Sequence, residues 1–158
     1  MEKIVSTVIE NPSDFKIIYQ LIFDTDNKVA WRAAWACIKI SDHYPDWFSE
    51  TQSIEIISHT LATSHYGLLR SCLSILLNLT VPGPIPVEFI NACFEWMVYQ
   101  KTPVAVQSLS MKMLLRICDI EPYFKPELIA YLENPGSSDY SPGFNSTRKN
   151  VLKALTNK

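Results

Sequence analysis

Apolar residues recur along the chain at i, i+3, i+4 and i+7, in segments that prolines and glycines interrupt, and this is the spacing of one helical face. The first such segment opens at Ser13 and Asp14 and runs to Asp24, with Phe15, Ile18, Tyr19 and Ile22 on a common side and Ser13 placed to cap the exposed N–H groups. The turn Thr25-Asp26-Asn27 leads into a second helix over 28–44, which Pro45 stops. Further helices are predicted from Asp46 to Thr63, with Ile54, Ile57 and Leu61 facing inward, and from His65 to Thr80. The stretch Val81-Pro82-Gly83-Pro84-Ile85-Pro86 is a rigid connector, because its three prolines remove backbone donors and bias their predecessors away from helix. Beyond it lie helices over 86–100 (Ile90, Cys93, Phe94 and Met97 inward), 104–120, 126–133 and 144–156, with the polar stretch 134–143 as the longest and most mobile loop.

The second helix of each successive pair has a wide apolar arc. In 28–44, Val29, Ala30, Ala33, Ala34, Cys37, Ile38, Ile40 and Tyr44 cover about half the circumference, more than one partner requires. Such a helix packs on its own first helix and on the neighbouring pairs, as in a stacked repeat. Aligned by polar stripe, Lys28, Gly67, Ala105 and Ser146 are equivalent, at spacings of 39, 38 and 41 residues. In this register Pro45 meets Pro122 and Trp47 meets Phe124.

The phrase formed by Asp26, Val29 and Arg32, followed by Ala33 and Ala34, resembles the opening of the second helix of HEAT repeats. The other units depart from it, with Gly67 and Ser71, or Ala105 and Leu109, where the first has Lys28 and Arg32. The resemblance implies an all-α superhelix, a short right-handed solenoid of about four helix pairs forming a single domain over 1–158, with units near 1–45, 46–80, 86–122 and 125–158. It also implies that the concave surface lined by second helices holds a protein or nucleic acid.

Composition adds that the chain is a packed, reduced protein. Hydrophobic residues make up 47% and charged residues 19% of the 158 positions, with only 4 Gly. Cys37, Cys72, Cys93 and Cys118 fall inside apolar helical patterns with no C-x-x-C pair, so they read as buried thiols. No apolar run approaches the ~20 residues that cross a bilayer, and the N-terminus has no long apolar core of a leader. A cytoplasmic protein without membrane contact is the expectation.

Charge is segregated although the net value is only -2. Ten of the 14 basic residues sit in the second-helix segments 28–44, 65–80, 103–120 and 143–158: Lys28, Arg32, Lys39, Arg70, Lys112, Arg116, Arg148, Lys149, Lys153 and Lys158. Of the 16 acidic residues only Asp42 and Asp119 do. Complementing helix C-termini accounts for Lys39, Arg116 and Lys153, but not for Lys28 or Arg32 near a helix start. Trp35 lies in the middle of this polar stripe, between Lys28, Arg32, Lys39 and Asp42, either flat under their stems, packed against the adjoining unit, or as an anchor for a partner. Trp31 extends the patch, whereas Trp47 and Trp96 are assigned to the core.

Catalytic constellations are missing from the sequence. His43, His59 and His65 occur without H-E-x-x-H or a carboxylate four residues further on, and there is no P-loop, G-x-G-x-x-G or G-x-S-x-G. No metal or cofactor is expected. The sequons Asn78-Leu79-Thr80 and Asn145-Ser146-Thr147 carry no weight without a secretion signal. The leading expectation is a non-enzymatic scaffold that binds a protein or peptide with an acidic surface, through Lys28, Arg32, Trp35, Lys39, Arg70, Lys112, Arg116 and Lys153. The alternative is nucleic-acid binding by the same face. A remote resemblance to alkylpurine DNA glycosylases would group Arg32, Trp35 and Asp42.

Overall fold

In the computed structural model, residues 1–136 and 140–157 are described, and those in regular structure are helical throughout. The middle of the expected mobile loop, 137–139, and Lys158 lie outside them. The chain divides into two compact units, Met1–Pro82 and Gly83–Lys158.

The first unit contains α1 (Glu2–Glu10), α2 (Phe15–Leu21), α3 (Asn27–His43), α4 (Glu50–Ala62) and α5 (Tyr66–Asn78), with single 3-10 turns at Pro12–Asp14 and Pro45–Trp47. Helix α3 packs on α1, α2 and α5, and α4 packs on α5. Short polar sequences set the helix starts. The Asp26 carboxylate accepts the Lys28 N–H at 2.8 Å, Ser49 and Gln52 form a reciprocal capping box, and His65 Nδ1 accepts the Leu68 N–H at 3.0 Å. Each such cap contributes about 1 kcal/mol by pairing a donor that the helix itself cannot. Ser13 makes no capping bond; the chain enters α2 through the 3-10 turn, with Pro12 in its first position. Helix α1 stands outside the elements expected from the sequence.

At the other end of α3 and α5, Asn78 Nδ2 donates to the Ile38 carbonyl at 3.3 Å and to Ser41 Oγ at 3.0 Å. This polar lock fixes the register of the two helices where Ala30, Ala33, Ala34 and Cys37 lie buried. The small side chains let the helix axes approach, and Leu69, Leu73 and Ile75 of α5 are buried with them.

The inner face of α4 differs from the expected one. Ile57 is buried, but Ile54 and Leu61 are 44% and 42% exposed, and Ser53, Ile56 and Thr60 are buried instead. Two of those are polar, and both can be buried because their hydroxyls donate to helix carbonyls, Ser53 to Ser49 at 3.4 Å and Thr60 to Ile57 at 2.6 Å. Trp47 and Trp96, expected in the core, are half-buried. Trp47 stacks on Tyr44 at 4.8 Å and meets the edge of Phe15 at 5.7 Å.

The second unit contains α6 (Val87–Val98), α7 (Val104–Ile120), a 3-10 turn at Pro122–Phe124, α8 (Lys125–Glu133) and α9 (Pro142–Thr156). Helix α7 packs on α6, α8 and α9, and α8 packs on α9. Phe89, Met97, Met111, Leu114, Leu128 and Phe144 form its core. Tyr140 stacks on Phe144 at 3.9 Å and donates to the Val98 carbonyl at 2.8 Å. Ser141 caps α9 by accepting the Phe144 N–H at 3.1 Å.

The residues before the second helices are Asp26, His65, Pro103 and Ser141, spaced 39, 38 and 38. Helix α9 begins at Pro142, so Gly143 rather than Ser146 matches Gly67, and the last step is 38 instead of 41. Burial follows these steps. Ala33, Cys72 and Ser110 coincide, as do Ala34, Leu73 and Met111, and Ala36, Ile75 and Met113, and all are buried. In α9, Val151 and Leu155 coincide with Met113 and Ile117 and are buried too.

Candidate interaction face of the second helices

Lys28, Arg32, Trp35 and Lys39 recur at helical spacing on α3 and therefore share a face. The three cations are exposed, and Trp35 between them is half-buried. The Lys39 ammonium sits 5.7 Å from the centroid of the Trp35 ring, so the lysine stem and indole cover one another. Lys28 lies beside the positive end of the helix dipole, and Asp26 at the cap offsets that unfavourable placement.

Arg70 is exposed on α5, in the register position of Trp31. Trp31 is 42% exposed, and its indole Nε1 comes within 3.4 Å of where a Cβ on residue 67 would stand. Such a Cβ would also meet the His65 ring at 2.9 Å. Glycine at this position is therefore what allows the start of α5 to close against Trp31 and its own capping histidine. Trp31 belongs to this helix junction as much as to the polar stripe.

The remaining expected residues lie in the second unit. Lys112 on α7 occupies the register position of Trp35 and is exposed, and Arg116 occupies that of Lys39 and is half-buried. Lys153 on α9 is exposed but falls in the position of Ile38, at the edge of the stripe. One of the other second-helix cations behaves differently. Arg148 turns to α8, where Nε donates to the Leu132 carbonyl and Nη2 to that of Glu133 at 3.4 Å, satisfying acceptors at the helix end. Lys149 is exposed.

A groove elsewhere on the first unit was not legible from the charge count. A groove of about 740 Å3 between α2 and α4 is lined by Tyr19, Phe23, Glu55 and His59 among others. The available signal was the i, i+4 spacing of Glu55 with His59, which places the pair on one face of α4, and the same spacing of Tyr19 with Phe23, which stands in the turn just past α2. Elsewhere, buried chemistry is structural. All four cysteines are buried free thiols, and burial pushes Cys37 and Cys72 up to about 12 and Cys118 to about 11. Among the described residues no group of three or more His, Cys, Asp or Glu is placed to hold a metal ion, and no helix is long and apolar enough to cross a membrane.

A repeat step of 38 or 39 residues, a burial pattern that returns at that step and second helices that carry the packing are now established. The model of the HEAT repeat domain matches residues 1–155. The chain belongs to the HEAT repeat family. HEAT repeats are helical scaffolds that commonly engage other proteins and are generally not enzymes. No curated protein and no solved structure matches the chain.

Proposed function

We propose that this HEAT repeat protein is a non-catalytic scaffold that takes a protein or peptide with an acidic surface on the polar stripe of its second helices. The observation that carries this reading is the patch on the first unit, where exposed Lys28, Arg32 and Lys39 surround half-buried Trp35 on α3 and exposed Arg70 stands on the adjacent α5. A large aromatic ring held partly in place among three cations, with Asp42 as the acidic residue of the same stripe, combines the two features that anchor and steer a partner. In the second unit Lys112, Arg116 and Lys153 carry the related stripe.

Arg148 is not part of this surface, because its guanidinium is committed to the end of α8. A cytoplasmic location suits the reading, since it places four free thiols in a reducing setting.

The test compares wild type with the Arg32→Ala/Trp35→Ala double variant in quantitative affinity capture from cell extract, together with anisotropy of a labelled DNA duplex across ionic strength. Loss of captured partners from the double variant is the expected result. Retention of every partner would overturn the assignment of the face. Tight duplex binding that falls steeply with added salt would replace the protein partner with a nucleic acid, because release of condensed counterions produces that slope.

A further inference from the structure

The groove between α2 and α4 lies off the second-helix stripe: every residue lining it falls within 16–23 or 52–62. Three rings follow one another along it. Tyr19 and Phe23 meet at 5.3 Å with their planes 69° apart, and Phe23 meets His59 at 5.0 Å and 73°. Beside them, the Glu55 carboxylate accepts the Tyr19 O–H at 2.5 Å, while the Glu55 side chain as a whole remains exposed. His59 Nε2 is buried with no hydrogen-bond partner among the described residues, and burial lowers the imidazole pKa, so the ring adds no positive charge near neutral pH. Ile54 and Ala62 add aliphatic surface to the walls.

We propose that this groove binds an organic cation, an alkylammonium or guanidinium head on a short apolar stem. Tyr19 is itself buried, so the aromatic contact to a cation falls to the half-buried Phe23 and His59 rings, in the manner by which aromatic cages take ammonium groups. Glu55 supplies the counter-charge, and Tyr19 holds that carboxylate in a fixed direction by occupying one of its oxygens. A neutral head of the same shape would gain the apolar contacts and lose both electrostatic terms. Lys16 is the one lysine or arginine among the lining residues; it is exposed on α2, and its flexible stem can carry the charge away into water. The cation reaches the groove either as a free amine or as a lysine or arginine side chain of a peptide. The site is independent of the second-helix face and stands or falls separately from it.

The experiment follows backbone amide shifts of the labelled full chain during titration with n-butylammonium, with n-butanol as the neutral isostere and a capped Ala-Lys-Ala peptide as the peptide-borne form. We expect n-butylammonium to shift amides of 16–23 and 52–62, and n-butanol to bind about tenfold more weakly. Glu55→Gln keeps an oxygen for the Tyr19 hydroxyl while removing the charge, and should weaken n-butylammonium about tenfold. Lys16→Ala should strengthen it about twofold, a gain that a damaged fold would not give. Tighter binding of the peptide than of n-butylammonium assigns the source to a partner side chain, and the opposite ranking to a free amine; either upholds the cation site. Equal binding of n-butanol, indifference to Glu55→Gln, or shifts confined to other helices would overturn it.

Discussion

The two units solve the same packing problem with different side chains. At register positions that are buried in both, α3 of the first unit has Ala33, Ala34 and Ala36, and α7 of the second has Ser110, Met111 and Met113. Alanine brings helix axes together and leaves the filling of space to α5, whose Leu73 and Ile75 are fully buried. Methionine fills space itself and adapts to irregular gaps. The same difference extends to the stripe, where Trp35 of α3 and Lys112 of α7 occupy the same register position. What recurs in this repeat is which positions are buried, rather than which residues fill them.

That comparison can be broken most directly by changing volume. Leu73→Ala in α5 should cost about 2–5 kcal/mol in urea unfolding, the loss expected for a buried leucine that leaves a cavity. The reciprocal change, Ala34→Leu in α3, should cost about 1–3 kcal/mol by overpacking, whereas Met111→Leu at the matching position should stay under about 1.5 kcal/mol. A neutral Ala34→Leu would mean that α3 and α5 do not approach closely, and the contrast between the units would vanish.

Capping sharpens the comparison at a smaller scale. Asp26→Ala and Ser141→Ala each remove a side-chain acceptor from a helix start, and each should cost about 1 kcal/mol, read as a lower thermal midpoint. The corresponding position before α7 is Pro103, which makes no side-chain cap, so Pro103→Ala should show no such capping loss.

The smallest effect concerns pH and is confined to the first unit. Because burial lowers the His59 pKa below its usual 6.5, the unfolded chain binds the proton more readily than the folded one. This residue's contribution is therefore present above the ordinary histidine range and is lost as pH falls through the lowered value. Urea midpoints measured between neutral and mildly acid pH should fall less for His59→Gln than for wild type. An identical slope in both would remove His59 from the acid response.

Much of the fold was open to reading because its determinants are local. The bounds of α7 at Val104 and Ile120 and the inward set Ile90, Cys93, Phe94 and Met97 follow from helical period alone. The start of α9 did not, since Pro142 and Gly143 look like loop residues until Ser141 supplies the cap and proline takes the first helical position. Of the candidate face, the shared stripe of Lys28, Arg32, Trp35 and Lys39 could be placed from sequence, but the ring contact of Lys39 with Trp35 could not. Arg148 shows the limit of counting charges, because a cation in the right helix can be spent on a neighbouring helix end.

The sequence by itself determined the presence of the helices from α2 onward and the first two repeat steps, of 39 and 38 residues, since helical period depends on residues within a few positions of one another. Only the tertiary structure decided how far each helix is rotated about its axis. In α4 that rotation buries Ser53 and Thr60 and turns Ile54 outward, because hydroxyls that satisfy themselves on the backbone can enter an apolar interface. It also brings Glu55 and His59 of α4 to Tyr19 of α2 and to Phe23 in the turn that follows it, and so creates the groove. Periodicity ranks side chains by polarity, whereas packing ranks them by whether their volume fits and their polar atoms find partners.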